Sequence, residues 1–286
     1  MIKMNNDLEN IKKEQEYLEE LRILAEYDGE DKVISSKEKD EELEADFLSP
    51  SFRVPTRIPT LDRLTDGGFR EGELITITGI TKSGKSALAR TLCSNFVEKE
   101  INSVYFSYEE TARELLERFR KPYPIFYLPR LLRSCNTDWI HAKIGEAVAK
   151  YGIKAAFIDN LDFLLDRKLY ERHGNVSDMI KFVVLDLKNT ARYYRVAIFL
   201  TAHTTQAGMR QGIDIGDIKG SSSISQISDF VLCVKRIKDK ETGLAGRYSR
   251  VQILANRRTG LNGEAKMLFN DQYLEELAEE NYENTK

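Results

Sequence analysis

Glu73-Leu74-Ile75-Thr76-Ile77-Thr78-Gly79-Ile80-Thr81-Lys82-Ser83-Gly84-Lys85-Ser86-Ala87-Leu88-Ala89-Arg90-Thr91-Leu92 is the stretch that decides the fold. Residues 73–78 alternate apolar and polar as a strand does, and residues 87–92 read as a helix. Between them lies G-x-x-x-x-G-K-[ST], the spacing of a phosphate-binding loop, in the strand-turn-helix context that loop requires. Its glycines let successive backbone N–H groups turn inward, and the helix N-terminus adds positive potential. Lys85 is placed to reach terminal phosphates, and Ser86 offers a hydroxyl to Mg²⁺. Gly79, Thr81, Lys82, Ser83, Gly84, Lys85, Ser86 and Ala87 are therefore the candidate nucleotide contacts, with ATP and Mg²⁺ the expected cofactors.

Outward from this stretch the chain alternates strand and helix. Strands are predicted at 74–78, 103–107, 155–159, 196–201, 230–234 and 250–254, and helices at 85–98, 112–118, 139–151 and 177–194. Ala155-Ala156-Phe157-Ile158 is apolar throughout, as in a parallel sheet covered on both faces. The expected fold is α/β, with a mostly parallel, twisted sheet flanked by helices over residues 51–270.

Composition frames this core. The chain has 286 residues, 41% of them hydrophobic, and a net charge of −3. Residues 1–50 carry 16 acidic and 7 basic side chains, and 271–286 carry 6 and 1, which leaves 51–270 at plus eleven. A basic body suits a polyanionic partner, although a solvated surface of Lys and Arg would give the same count. Residues 1–50 read as an acidic segment: a charged helix at 7–27 with Leu8, Ile11, Leu18, Leu21 and Leu24 as a partial apolar stripe, then a mostly structureless 28–46. It is either a tail or a helix that docks on a neighbouring subunit. Residues 271–286 read as an acidic tail. Cys93, Cys135 and Cys233 have neither disulfide nor zinc spacing. No apolar run approaches the roughly 18 residues of a membrane span, and the acidic N-terminus is wrong for a signal peptide. A soluble, cytoplasmic protein is expected.

Two carboxylates complete the candidate site. Asp159 ends the 155–159 strand and is the expected Mg²⁺ carboxylate, on the premise that this strand adjoins the phosphate loop; Asp162 and Asp166 compete with it. Glu109 and Glu110 follow the 103–107 strand at the edge where sheet ligands bind, and Glu109 is the expected general base. Thr111-x-x-Glu114 is a capping box, which accounts for Glu114 and not for Glu109.

The segment Thr60-Leu61-Asp62-Arg63-Leu64-Thr65-Asp66-Gly67-Gly68-Phe69, the phosphate loop, Ser107-Tyr108-Glu109 and Ile158-Asp159-Asn160-Leu161 together resemble the RecA-like motor domain of DnaB-type replicative helicases. The pattern is similar to phage primase-helicases and the mitochondrial helicase Twinkle. It continues through Leu187-Lys188-Asn189-Thr190-Ala191, Thr201-Ala202-His203, Ile218-Lys219-Gly220-Ser221-Ser222, Gln226-Ile227-Ser228-Asp229 and Asn256-Arg257-Arg258-Thr259-Gly260. The resemblance implies a RecA-like P-loop NTPase core and strengthens Glu109 as catalytic base. It implies a phosphate-sensing role for His203, and single-stranded DNA contacts from the loop at 204–223, with Arg210, Lys219, Gly220 and Ser221 as the binding residues. Arg257 becomes an arginine finger reaching the ATP site of the next subunit in a homo-oligomer, a hexameric ring. Where the family often has Lys two residues before that arginine, this chain has Ala255; either Arg258 substitutes or activation across subunits is weaker. Arg236 and Phe269 are further nucleotide contacts. A primase or loader is an implied partner. The implied activity is an ATP-dependent DNA helicase in replication. The alternatives are a RecA-like or KaiC-like DNA-stimulated ATPase without unwinding, and a non-catalytic, ATP-switched helicase accessory protein.

Overall fold

The computed structural model describes residues 2–29, 32–46, 52–165, 170–171, 174–203, 221–238, 245–270 and 272–277. The chain divides into two compact units, Met1–Pro50 and Ser51–Lys286. The first holds helices α1 (Ile2–Ala25) and α2 (Ser36–Asp46). Helix α2 corrects the expectation of a structureless 28–46. Its physical reason is a capping box: Ser35 Oγ accepts from Glu38 N at 3.1 Å, and Ser35 N donates to Glu38 Oε2 at 2.8 Å. In α1, Leu18, Leu21 and Leu24 are exposed.

The second unit begins with a two-stranded ribbon, β1 (Arg53–Val54) against β2 (Phe69–Arg70), around α3 (Pro59–Leu64). Then come β3 (Leu74–Gly79), α4 (Lys85–Val97), β4 (Ser103–Ser107), α5 (Ala112–Glu117), α6 (Thr137–Tyr151) and β5 (Ala155–Asp159). A 3₁₀ turn at Leu161–Leu164, α7 (Val176–Tyr194), β6 (Ala197–His203), α8 (Ser221–Ile227) and β7 (Phe230–Lys238) follow, and β8 (Ala245–Asn256), β9 (Gly263–Asn270) and β10 (Tyr273–Glu276) close the chain.

The eight strands β3 to β10 form one sheet in the order β10-β9-β8-β7-β3-β6-β5-β4. The five strands from β7 to β4 in that order are parallel, and β7 to β10 run antiparallel. Strand β10 belongs to this sheet, so the domain runs past 270 and the acidic tail expected from 271 does not begin there. The signal was missed because Tyr273 and Leu274 are the only apolar residues of a four-residue strand, and both are buried.

Alternate residues of the central strands face opposite layers, as the two-residue period demands. Phe157 and Phe199 face α4, where Phe199 stacks on Phe157 at 4.9 Å between ring centroids and also meets Phe69 and Phe96. Their neighbours Ile158, Ile198 and Leu200 face the other way, into a layer with Ile140 and Ile144 of α6 and Val183, Val184 and Leu187 of α7. Each such side chain contributes about 1.5–3 kcal/mol by burial. One polar group crosses this second layer. Lys188 of α7, 6% exposed, donates to Gly72 O at 2.7 Å and to Asp229 Oδ2, and Leu74 N donates to the same carboxylate oxygen at 2.7 Å. The start of β3 is thereby pinned to α7 and to the segment before β7.

Candidate nucleotide site

Strand β3 sits in the middle of the parallel strands, and its C-terminal end delivers the phosphate loop to the sheet edge. Gly79 has φ +153°, and a Cβ there would lie 2.4 Å from Val234 O and 2.5 Å from Ser83 Oγ. Only glycine fits that approach. Gly84, at φ +106°, caps the start of α4, so the helix N-terminus faces the loop. Thr81 and Lys82 lie exposed on its crest, Ala87 is buried beneath it, and Ser86 is half-buried in the first turn of α4. Lys85, buried, folds back onto Gly79 O and Ile80 O, at 3.0 Å each. Burial pushes its ammonium pKa down, while Asp159, Glu109 and Asp162 pull it up.

The residues fit a magnesium nucleotide. Ser83 Oγ and Thr78 Oγ1 are buried without a hydrogen-bond partner among the described residues, and the loop opens onto a cluster of carboxylates. Asp159 is 5% exposed, taking the Thr201 hydroxyl on Oδ1 and the Tyr105 hydroxyl on Oδ2 at 3.5 Å. It does not stand on a strand adjoining β3, as expected, because β6 lies between β5 and β3. The intervening strand supplies Thr201, which orients the carboxylate. Asp162 is near enough to act electrostatically on Lys85, and Asp166 lies outside the described residues.

Glu109 and His203 approach the same spot from opposite sides of Asp159. Register pairs Ser107 with Asp159 and Gly79 with His203. Glu109 is exposed and accepts from Asn160 Nδ2 at 3.0 Å, while His203 Nε2 lies 3.3 Å from the same nitrogen. Burial, then the Lys85 ammonium, lower the His203 pKa and favour the neutral ring. Glu110, the alternative base, is held in an ion pair at 2.9 Å by Arg118, and burial raises its pKa. Glu114 closes the capping box of α5.

Arg236 and Phe269 are brought together, the guanidinium 4.2 Å from the ring centroid. They lie beyond Cys233, which pairs with Thr78, on the phosphate-loop side of the sheet. Arg257 goes elsewhere. Strand β7 begins where Phe230 pairs with both Ile75 and Asn256, so Arg257 stands at the opposite end of β3 from Gly79. It is exposed and donates to Gln226 O. Arg258 is committed to structure: it donates to Thr65 O and, at 2.7 Å, to Gly68 O, and its ring neighbour is Phe230 at 5.1 Å. Its Nη1 lies 3.1 Å from Glu73 Oε1, an ionic approach without hydrogen-bond alignment. Arg258 therefore does not substitute for the lysine absent at Ala255.

Arg210, Lys219 and Gly220 lie outside the described residues, and Ser221 begins α8, so residues 221–223 are helical rather than loop. Sequence reasoning had not singled out Asn160, Thr201 or Tyr105 as site residues. Only Asn160 carried a local signal, an Asn directly after the strand-ending Asp.

A family model described as "ATPase: KaiC" matches residues 54–122. The chain is 28% identical over 165 residues to the DNA repair protein RadA of Rickettsia felis, covering 58% of this chain and 36% of that protein. It is 25% identical over 244 residues to the replicative DNA helicase DnaB of Treponema pallidum, covering 76% and 54%. The chain thus spans little more than a third of the RadA relative and about half of the DnaB one. Among solved structures, a helicase ATPase domain determined on its own superposes with TM-score 0.72 at 17% identity, over 88% of this chain and all of that one. A DnaB-like replicative helicase, from a structure titled for its interactions with primase, gives 0.69 at 18% identity, over 92% and 72%. The fold is that of RecA-like ATPase domains, and its neighbours are DnaB-type helicase ATPase domains.

Proposed function

We propose that the chain is the motor of an ATP-dependent, ring-forming DNA helicase that moves along single-stranded DNA, in the cytoplasm and in replication. One observation carries the reading. Lys85, Ser86, Asp159, Glu109 and His203 converge at one edge of the sheet, and the exposed arginine of the β8–β9 turn lies at the other. From Ile75 to Gly79 the strand alone spans roughly 13 Å, so Arg257 has no reach to its own phosphate loop. It serves a neighbour's, as an arginine finger does.

Within one chain, the loop and the α4 N-terminus bind phosphates, and Lys85 leaves its two carbonyls for the terminal oxygens. Ser86 and Asp159 hold Mg²⁺, which neutralises charge on the phosphates when bound. Glu109 orients and deprotonates the attacking water, His203 reports on the terminal phosphate, and Arg236 with Phe269 flanks the base. Arg210, Lys219, Gly220 and Ser221 are the proposed DNA contacts, α1 the segment that docks on the adjacent subunit, and a primase or loader the proposed partner.

The test is unwinding of a forked duplex with ATP, with particle imaging of the same sample. Unwinding by closed rings supports the reading. ATP turnover without strand separation refutes it in favour of a DNA-stimulated ATPase, the reading favoured by the likeness to RadA and KaiC. Binding without turnover would leave an ATP-switched accessory protein.

A further inference from the structure

Asn160 is 2% exposed and makes three hydrogen bonds that exhaust its amide. Its Oδ1 accepts from Asp162 N at 3.0 Å, capping the 3₁₀ turn, and because that partner is a backbone donor the orientation of the amide is fixed. Both Nδ2 hydrogens then point at the site, one to Glu109 Oε2 at 3.0 Å and one to His203 Nε2 at 3.3 Å. His203 Nε2 is therefore an acceptor, and the ring proton sits on Nδ1, a buried atom without a partner among the described residues.

Glu109 needs such a support. Its carboxylate is exposed, it stands between β4 and α5, and among the described residues Asn160 is its only hydrogen-bond partner. The neighbouring residues are fixed without it: Glu110 by Arg118, Thr111 and Glu114 by each other. Without Asn160 the carboxylate would sample several rotamers.

We propose that Asn160 is a positioning residue that holds the Glu109 carboxylate against His203, so that the base and the phosphate-facing imidazole are set as one unit. This rests on the reading of Glu109 as base. A phosphate that draws on the imidazole then acts through one rigid amide on the orientation of the carboxylate, coupling nucleotide state to water activation without motion of the sheet.

Asn160→Ser retains a short oxygen for the Asp162 N–H and deletes both donors; Asn160→Asp keeps shape and sets a second carboxylate against Glu109. ATP turnover by the full chain with single-stranded DNA is measured beside the affinity for a fluorescent ADP analogue. Misplacing the base is expected to lower kcat about 10- to 100-fold, more for Asp than for Ser, with ADP affinity within about twofold. The double variant Glu109→Gln/Asn160→Ser is expected to be no slower than Glu109→Gln alone. An Asn160→Ser kcat near that of the parent, or losses that multiply in the double variant, overturns the proposal. If instead Glu109→Gln itself turns over normally, the reading of the base has failed. Should Asn160→Ser not fold, Asn160→Asp carries the same test.

Discussion

Arg257 and Arg258 are adjacent, and opposite consequences follow from losing them. Take Arg258→Met, which keeps much of the side chain's apolar volume and removes the guanidinium. Three things lose their partner: the carbonyls of Thr65 and Gly68, and the Glu73 carboxylate, whose side chain is 11% exposed beside an arginine 14% exposed. Glu73 retains only the Arg70 N–H at 2.7 Å, and burial already raises its pKa. Breaking a pair this well covered costs about 3–5 kcal/mol, because the surviving charge stays buried. For a domain of this size each kcal/mol shifts Tm by about 2–4 °C, so a fall on the order of 10 °C is expected. Glu73→Gln/Arg258→Met removes the orphaned charge and recovers a large part of the loss. Urea unfolding of the two variants and the parent measures this, with ATP turnover of the folded fraction as control. A loss below about 1 kcal/mol for Arg258→Met, or normal stability with abolished turnover, would falsify its assignment as a structural clamp.

Arg257→Ala should leave stability within about 0.5 kcal/mol, as for an exposed residue, while turnover collapses; mixed assemblies with Lys85→Ala chains should show activity out of proportion to composition, and simple proportionality would sink the finger. Lys85→Ala alone should reduce ATP turnover by two orders of magnitude or more, since the lost ammonium stabilises charge in transfer; intact turnover would mean the site is elsewhere. In Gly79→Ala the new methyl meets Val234 O at 2.4 Å, so the loop must shift and nucleotide affinity should fall; calorimetric titration with ADP checks it, and unchanged affinity would contradict the close packing of the loop.

The phosphate loop was readable because everything that makes it, strand, turn and helix start, is local in sequence. The same holds for Thr111 and Glu114, whose box forms as the spacing implies. Strand order is not local, and the expectation that failed depended on it: nothing near Asp159 announces that β6 comes between it and β3. The role of Arg258 was unreadable for the same reason, since its partners Thr65, Gly68 and Glu73 are more than 180 residues away. Helix α2 was legible in Ser35 and Glu38, but the acidic composition around them masked the cap. Strands β9 and β10 were missed because few of their residues are apolar, Ala265 and Met267 carrying the buried face of β9.

The placement of Gly79 and Arg257 at opposite ends of β3 makes the chain directional. A two-fold axis brings identical patches face to face, so a symmetric dimer could set arginine against arginine or loop against loop, and could not satisfy both. Only a head-to-tail contact joins one copy's arginine to the next copy's loop, and that contact repeats until it either closes or runs on as a helix. In a closed assembly every site is complete. In an open one, a site at one end and an arginine at the other always go unmatched, so the fraction of silent sites falls with length and itself reports which of the two was built.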